Sequence, residues 1–465
     1  MGPGADLLRP AKALSQDTAD YPGVVMRLII AVSALLLSIG ATIAGAQVPR
    51  QHGSSLNVVV IFQENRTPDN LFGSNPTFLP GVDIATSGEN SKGQTIPLTA
   101  VPLANDYDLS HAHSAFVAMY DNGAMDGANK VAVTCAKGAT GCPPADPQFK
   151  YVDNSTGILD PYFQLAEQYT FGDRMFQTNQ GPSFPAHQFI ISGTSAPSEY
   201  SDLFAAENPS GVTNAGNNTG CAAPAAETVS MIDPSGSEAQ KMYPCFDHLT
   251  LADLLDYRGV SWRYYAPSAG SIWTGPNAIY HLRYGSDWNN DVVLNPAQVL
   301  TDISNGQLAN VSWIIPTGQE SDHANDNKGL GPSWVASIVN AIGQSQYWQN
   351  TVILITWDDW GGWYDHVAPS IYNSYEYGFR VPLIVVSPFA KQGYVSHVTH
   401  DFGSILHFIE EVYNLPSLGY ADSRADDLSD CFDFHRHNRF QKIAAPHDAK
   451  FFIDDKTPPT DPDDD

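Results

Sequence analysis

The fold is decided by two apolar runs, Asn57-Val-Val-Val-Ile-Phe62 and Thr351-Val-Ile-Leu-Ile-Thr356. Continuous β-branched runs of this length are typical of strands buried on both faces, as in a parallel sheet covered by helices. Further strand-like runs occur at residues 170–176, 260–265, 311–315 and 381–387. Amphipathic helical patterns occur at residues 161–169, 249–257, 331–344 and 402–413. This alternation predicts an α/β fold with a mostly parallel central sheet and helices on both faces.

Residues of the kind that bind metal ions follow both apolar runs. Glu64 and Asn65 come just after the first run, and Asp358 and Asp359 come just after the second. Ligands of open parallel sheets bind beyond the carboxyl ends of the strands, so these four side chains are predicted to meet at one edge. Two adjacent carboxylates repel each other unless a cation or an arginine lies between them. Glu64-Asn65 alone could equally be a helix N-cap.

The chemistry of these side chains indicates the kind of ion. Carboxylate and amide oxygens without sulfur or nitrogen favour a hard cation. The expected cofactor is therefore one divalent metal ion of the Mg²⁺, Ca²⁺ or Mn²⁺ type.

The N-terminal region has the features of a secretory signal peptide. Met26-Arg27 gives a basic start, residues 28–39 are apolar, and Ala44-Gly45-Ala46 fits a small-residue cleavage site. We therefore predict a leader and signal peptide over residues 1–46, of which 1–25 are either an upstream extension from an early start codon or part of a genuine longer leader. The mature protein is expected to be exported, periplasmic or extracellular, with no stable membrane span. Because the formal net charge is −27 at pH 7, nucleic acid and anionic membranes are not expected as bulk partners.

Two regions interrupt the alternation of strands and helices. Residues 73–152 are rich in Gly, Pro, Asn and Asp, and residues 205–245 are rich in Ser, Gly, Asn and Ala. We predict both to be loop-rich cap insertions in one domain of residues 47–434. An acidic, Pro-rich tail is predicted for residues 435–465.

Five cysteines in an exported chain indicate disulfides. Cys135 and Cys142 bracket a short loop, and Cys221 and Cys245 bracket a longer polar one. We pair them in that way, which leaves Cys431 over, although spacing alone does not fix the connectivity.

A candidate nucleophile lies in Gly181-Pro-Ser-Phe-Pro185. Pro185 suits the first turn of a helix, which places Ser183 near a helix N-terminus. Backbone N–H groups at such an end can bind an anion. A serine beside a divalent cation can lose its proton without a His–Asp relay. The alternative is that Ser183 only caps the helix.

The order of motifs along the chain resembles the bacterial phosphoesterase family, which includes phosphatidylcholine-type phospholipases C and secreted acid phosphatases. The resemblance covers about residues 56 to 434. Its motifs are Glu64-Asn-Arg-Thr-Pro-Asp-Asn-Leu-Phe-Gly73, Gly181-Pro-Ser183, Ser321-Asp-His323, Trp357-Asp-Asp-Trp-Gly-Gly-Trp-Tyr-Asp-His-Val367, Gly378-Phe-Arg-Val-Pro-Leu-Ile-Val-Val-Ser-Pro388 and His400-Asp-Phe-Gly-Ser-Ile-Leu-His-Phe-Ile-Glu410.

This resemblance implies an alkaline-phosphatase-like fold and a metal-dependent phosphoesterase that forms a phosphoserine intermediate on Ser183. The metal ligands that it implies are Glu64, Asn65, Ser183, Asp358 and Asp359. His111 and His323 would contact the phosphoryl oxygens or the leaving group, with His323 preferred as the general acid. Asp365 and His366 are expected to lie behind the ligands and brace the Asp358-Asp359 loop, and Arg66 would either do the same or neutralise the phosphate directly.

The chain departs from the family pattern after the nucleophile. Many members have Pro-Asn-Arg where this chain has Pro185-Ala186-His187. A phosphate-contacting amide would then be missing, or His187 would substitute for it. Phospholipases C and acid phosphatases share this machinery, so the expected substrate is a small phosphate ester or a phospholipid head group.

Three other interpretations stay open at this point. The tryptophans at 357, 360 and 363 could form a choline cage through cation–π contacts, or simply pack in the core. A sulfatase would share the fold, but none of the five cysteines begins a C-x-P-x-R-type signature. The chain could also be a non-catalytic exported metal-binding protein on the same fold, in which Ser183 would be dispensable.

Overall fold

The computed structural model of the protein describes residues 56–210, 218–325 and 327–460. The predicted leader and signal peptide lies outside these ranges, as do part of the second predicted insertion and the last residues of the tail. The strands are β1 (Asn57–Gln63), β2 (Ser87–Glu89), β3 (Thr95–Pro97), β4 (Thr99–Val101), β5 (Tyr107–Leu109), β6 (Val133–Cys135), β7 (Lys150–Val152), β8 (Thr170–Gly172), β9 (Phe204–Ala205), β10 (Val229–Ile232), β11 (Gln240–Met242), β12 (Trp262–Tyr265), β13 (Val292–Val293), β14 (Val311–Ile314), β15 (Thr351–Trp357), β16 (Leu383–Val386) and β17 (Tyr394–Ser396). The α-helices are α1 (Pro68–Phe72), α2 (His113–Tyr120), α3 (Asp160–Gln168), α4 (Ser183–Ser192), α5 (Leu251–Arg258), α6 (Tyr280–Tyr284), α7 (Asp287–Asn290), α8 (Gln298–Ser304), α9 (Gly331–Gly343), α10 (Phe402–Tyr413) and α11 (Ala449–Asp454).

An eight-stranded central sheet has the order β13-β12-β14-β1-β15-β16-β8-β17. The first five of these strands run parallel to one another, while β16 is antiparallel to both β15 and β8. Every residue of β1 and β15 is buried, which requires both faces of the sheet to be covered there. The predicted α/β fold with a mostly parallel sheet is confirmed, and all of the predicted strands lie in this sheet.

Two features of the sheet were not predicted. The edge strands β13 and β17 have only two and three residues, too few to give a periodic signal. The reversed direction of β16 was also missed, because an apolar run has the same composition whichever way the strand points.

The pairing of the two central strands positions the candidate ligands. β1 and β15 are parallel neighbours, and their last paired residues are Gln63 and Trp357. Glu64 and Asp358 therefore follow at the same level on adjacent strands. The Asp358 N–H donates to the carbonyl of Gln63 at 2.9 Å, which extends the ladder by one more bond.

The region predicted as the first insertion, residues 73–152, contains β2 to β7 and α2. Its apolar side chains form a second core cluster with Trp360, Trp363 and Phe379, which follow β15 and precede β16. The second region contains a three-stranded antiparallel sheet of β9, β10 and β11. The first region thus packs directly against the chain that leaves the site edge.

The cysteine pairing agrees with the expectation. Cys135 is bonded to Cys142 and Cys221 to Cys245, and Cys431 is a buried free thiol.

The tail runs along the body of the domain as far as it is described. Phe452 of α11 is buried against Trp334 of α9, with ring centroids 5.2 Å apart. The N–H of Gly318 donates to the carbonyl of Thr460 at 2.9 Å. Among the described helices, none combines the length and the apolar character needed to span a bilayer.

Candidate active site at the carboxyl edge of the sheet

The two strand ends are joined by a direct contact between the predicted ligands. The backbone N–H of Asn65 donates to Oδ1 of Asp358 at 3.0 Å. Asn65 adopts a left-handed conformation with φ of 61°, which turns the chain sharply after Glu64. Gly361, also left-handed, lies so close to Asn65 that a Cβ there would be 2.4 Å from the Asn65 carbonyl oxygen. A glycine at 361 is therefore required for the two loops to approach.

Ser183 is the first residue of α4, and its hydroxyl points at the same carboxylate. Its Oγ donates to Oδ2 of Asp358 at 2.6 Å. All ten residues of α4 are buried, so this helix end is fixed by packing on every side. Pro185 lies in the first turn, as its fixed φ allows. The structure thus brings Ser183, Asn65 and Asp358 together.

His187 lies among the candidate ligands, although the predicted ligand set omits it. It lies four residues after Ser183 on α4, so both side chains lie on one face of the helix. Its Nε2 is 3.2 Å from Oε1 of Glu64 and 4.0 Å from Oδ2 of Asp358. Ligand atoms of Glu64, His187 and Asp358 all lie within 4.8 Å of one another. The i, i+4 spacing from a candidate nucleophile was the signal that could have identified it.

The two predicted histidines lie beside each other near Asn65. Nδ1 of His111 is 2.9 Å from the carbonyl of Leu109, so it carries the proton, and Nε2 accepts from the Asn65 amide at 3.2 Å. The ring centroids of His111 and His323 are 5.9 Å apart, and Nδ1 of His323 is 2.7 Å from the Ala324 carbonyl. His111 therefore fixes which way the Asn65 amide faces.

Asp359 is placed differently from Asp358. Its Oδ1 accepts from the N–H of Gly361 at 2.6 Å, and it is outside the group of ligand atoms that contains Glu64, His187 and Asp358. Of the predicted ligands, Glu64 and Asp358 are in that group, whereas Asn65 and Ser183 reach it through hydrogen bonds to Asp358.

These residues fit a divalent cation. Glu64 and Asp358 are fully buried. The hydrogen-bond donors to Asp358 are an N–H and an O–H, both neutral. The Oδ1 atom of Asn65 is buried and has no hydrogen-bond partner among the described residues. Burial of an ion costs several kcal/mol unless an opposite charge compensates it, and a metal would supply that charge and accept the amide oxygen.

Arg66 does not point at the site. It is fully buried, and its guanidinium donates to the carbonyls of Asp322 and Leu103 at 2.8 and 3.0 Å and to Asn70 Oδ1 at 3.1 Å. It also lies 5.0 Å over the ring of Trp363. Burial lowers the pKa of Arg66 to about 10. These contacts are with the backbone around residues 103 and 322 and with the Asn70 side chain.

Asp365 and His366 belong to a separate group, which we call the arginine cluster: Asp69, Asp83, Asp365, His366 and Arg380. Arg380 binds both oxygens of Asp365, at 2.8 and 2.9 Å, and Asp69 at 3.2 Å. His366 contacts Asp69 at 2.7 Å and Asp83 at 3.0 Å. Asp365 therefore contacts Arg380, whereas His366 contacts α1 and the loop that follows it. The left-handed Gly361 and Gly362 carry the chain away from the ligands before residue 365.

The three tryptophans near the site are packing residues. Trp357, Trp360 and Trp363 are fully buried, and the Trp357 indole N–H donates to Asp322 at 3.0 Å. Burial around that carboxyl raises the pKa of Asp322 to about 6. A choline cage would need an open aromatic face, so the packing interpretation accounts for these rings.

Comparisons with known proteins place the chain in a family. The model of the Phosphoesterase family matches residues 56–416. The chain is 25% identical over 446 residues to the hemolytic phospholipase C of Pseudomonas aeruginosa, covering 81% of this chain and 56% of that protein. It is 22% identical over 472 residues to the non-hemolytic phospholipase C of the same species, covering 86% and 62%. The chain thus spans about three-fifths of the length of these relatives.

Among solved structures, one similar chain is a protein in the alkaline phosphatase superfamily from Vibrio parahaemolyticus. The two are 12% identical with a TM-score of 0.34, and the match covers 75% of this chain and 74% of that one. A likeness this slight carries no argument about the site.

Proposed function

The chain belongs to the Phosphoesterase family, and we propose that it is an exported, metal-dependent hydrolase of phosphate esters that acts through a phosphoserine intermediate. The observation that carries this proposal is the hydrogen bond of 2.6 Å from Ser183 Oγ to Asp358 Oδ2, beside the buried carboxylate of Glu64. A serine whose hydroxyl faces two buried carboxylates at a helix N-terminus is placed to attack an anionic centre only if a cation shares the site.

The residues that would hold the cation are Glu64, Asn65, Ser183, Asp358 and Asp359. When bound, a divalent ion at such a site supplies Lewis-acid charge, which favours the serine alkoxide and offsets the negative charge of the phosphate.

The remaining steps are the work of the side chains. Ser183 loses its hydroxyl proton to solvent, its Oγ attacks phosphorus, a new O–P bond forms, and the bond from phosphorus to the ester oxygen breaks. His323 protonates the departing alcohol, and water then cleaves the phosphoserine to regenerate the hydroxyl. His111 holds the Asn65 amide so that its oxygen faces away from the imidazole.

The substrate class follows from the relatives, two of which are phospholipases C. We propose either a phospholipid head group or a soluble phosphate monoester as substrate, since both offer the same phosphoryl group to Ser183. Export follows from the signal-peptide features of the sequence and is supported by the two disulfides.

The proposal is tested with the mature protein on p-nitrophenyl phosphate and p-nitrophenyl phosphorylcholine, with and without a chelator. Hydrolysis of the first shows monoesterase activity, and hydrolysis of the second shows a phospholipase-like diesterase. The chelator should abolish either. Mass spectrometry after an acid quench should find phosphate on Ser183.

Ser183→Ala should abolish turnover while circular dichroism stays unchanged. Its matched control is Ser192→Ala at the other end of α4, where the hydroxyl only donates to the Gln188 and Thr194 carbonyls. Full activity in the Ser183→Ala protein would reject Ser183 as the nucleophile, whereas a protein that binds metal but hydrolyses neither ester would favour a non-catalytic metal-binding protein.

A further inference from the structure

We propose that His187 is a direct ligand of the metal site, through Nε2. The site would then have a mixed nitrogen and oxygen donor set and would select a transition metal such as Zn²⁺, Co²⁺ or Fe²⁺ over Mg²⁺ and Ca²⁺. This inference rests on the proposed function for the presence of an ion at this edge, and it replaces the hard-ion expectation drawn from oxygen ligands alone.

The first support is the proton on the other ring nitrogen. The Tyr264 hydroxyl lies 2.8 Å from the carbonyl of Trp273, to which it donates its only hydrogen. Nδ1 of His187 is 3.3 Å from the Tyr264 hydroxyl oxygen. Because that hydroxyl has no second hydrogen to donate, Nδ1 must be the donor of this bond. In the neutral ring this leaves Nε2 with a lone pair, the form in which imidazole binds metals.

The second support is the fixed direction of the ring. His187 is fully buried. Phe62 packs edge-on against it with centroids 4.9 Å apart, and Trp273 stacks on it with centroids 6.3 Å apart. A ring held in this way cannot turn its Nε2 away from Glu64 and Asp358 without disturbing the core.

The third support is the spacing of the donor atoms. Two ligands at about 2.0–2.1 Å from a tetrahedral ion such as Zn²⁺ lie roughly 3.3 Å apart. Nε2 lies 3.2 Å from Oε1 of Glu64 and 4.0 Å from Oδ2 of Asp358. A lone pair facing a carboxylate at this distance is repelled, and an ion between them turns the repulsion into attraction. The competing state is an imidazolium paired with Glu64.

The test compares metal binding by the mature wild-type protein and by His187→Gln. Each is stripped of metal and titrated with Co²⁺, Zn²⁺, Mg²⁺ and Ca²⁺ by calorimetry and equilibrium dialysis. We expect His187→Gln to lose about 100-fold in Co²⁺ and Zn²⁺ affinity, the upper end of the loss seen when residues supporting a metal site are removed. Its Mg²⁺ affinity should change far less, and the visible spectrum of the Co²⁺ form should shift.

Two further variants sharpen the test. Tyr264→Phe removes the partner of Nδ1 but keeps the ligand, and we expect a loss of about 10-fold in Co²⁺ affinity. The control is His248→Gln, another buried histidine, whose Nδ1 bonds the Leu249 carbonyl and which lies in none of the contacts of the site. It should bind Co²⁺ as the wild type does.

A measurement on the wild type alone covers the case in which a variant does not fold. Pulsed electron paramagnetic resonance of the Mn²⁺- or Cu²⁺-loaded protein should show coupling to an imidazole nitrogen. Absence of that coupling, or unchanged Co²⁺ affinity in a folded His187→Gln protein, would show an imidazolium paired with Glu64 and overturn the inference. If His187 binds Co²⁺ but neither ester is hydrolysed, the proposed function fails and His187 is still a metal ligand. If Mg²⁺ supports hydrolysis equally in the wild type and in His187→Gln, the proposed function holds and His187 is not a metal ligand.

Discussion

Two groups of carboxylates and histidine each take acids from the segments that follow β1 and β15, and they differ in the source of their positive charge. The first, which we call the edge cluster, contains Glu64, His187 and Asp358. The second is the arginine cluster, whose Asp69 lies five residues after Glu64 and whose Asp365 lies seven residues after Asp358. In each, ligand atoms of two acids and one histidine lie within 4.8 Å of one another. Spacing alone therefore does not distinguish a metal site from an ion network.

The hydrogen-bond donors do distinguish them. Besides bonds from backbone N–H groups, Asp365 receives two bonds from the guanidinium of Arg380, and Asp69 receives one from Arg380 and one from the His366 ring. Asp358 instead receives an N–H from Asn65 and an O–H from Ser183, which carry no charge. The arginine cluster contains its own cation, whereas the edge cluster is suited to take one from solution.

The largest effect is expected from Asp358→Asn, which keeps the shape of the side chain and removes its charge. Loss of metal-based charge stabilisation is worth several kcal/mol, or about 10³-fold or more in kcat/KM. Because a buried charge disappears, the melting temperature of the metal-free protein should not fall. Wild-type activity of this variant in the steady-state assay would contradict the proposed difference between the two clusters, since the edge cluster would then not need a cation.

The opposite behaviour is expected from Arg380→Met. Removal of one partner of a buried ionic network leaves uncompensated charge and costs about 3–5 kcal/mol of unfolding free energy. Urea denaturation should show this loss, while kcat per folded molecule should stay near the wild-type value. Adding Asp365→Leu should recover part of the stability, because the carboxylate left without its arginine is then gone. If Arg380→Met alone is as stable as the wild type, another group must compensate the negative charge of the carboxylates in the arginine cluster.

The sequence identified the edge cluster better than the arginine cluster, for a physical reason. The apolar runs predicted β1 and β15, and parallel strands end at one edge, so Glu64 and Asp358 could be brought together without any loop geometry. Asp365 and His366 could not be placed, because two left-handed glycines decide the direction of the chain after Asp359. Such a turn leaves no periodic pattern from which its direction could be derived.

His187 shows a different limit. The helix that begins near Ser183 was predicted, and the i, i+4 spacing places Ser183 and His187 on the same face of it. What the sequence did not show is that this face is turned toward the end of β1, since that depends on the packing of α4 against α10 and of His187 against Phe62. The predicted ligand set therefore contained the side chains with oxygen donors and left out Nε2 of His187.

A moderate effect is expected from the cation itself. A ligand that binds only the folded state stabilises it by about 2.7 kcal/mol at 100 times its dissociation constant. Thermal denaturation with and without the preferred ion should show this shift in the wild type. Asp358→Asn should not respond, whereas a variant of the arginine cluster such as His366→Gln should respond fully. A response that is lost in His366→Gln instead would place the ion in the arginine cluster.

The smallest effect is expected from the titration of His366. Burial opposes its protonation, but the hydrogen bond and charge of Asp69 outweigh burial and raise the pKa of His366 to about 9, from an ordinary value of 6.5. A pKa raised by folding adds stability that is complete below about pH 6.5 and is lost as the pH rises through about 9. Because the imidazole is partly exposed, we discount the full shift for solvent screening and expect a loss of about 1–2 kcal/mol. Urea denaturation at pH 6 and pH 9.5 should show this loss in the wild type and a smaller one in His366→Gln. An equal loss in both proteins would assign the alkaline instability to other groups. Arg380 would then be the cation that stabilises the arginine cluster, and protonation of His366 would not contribute.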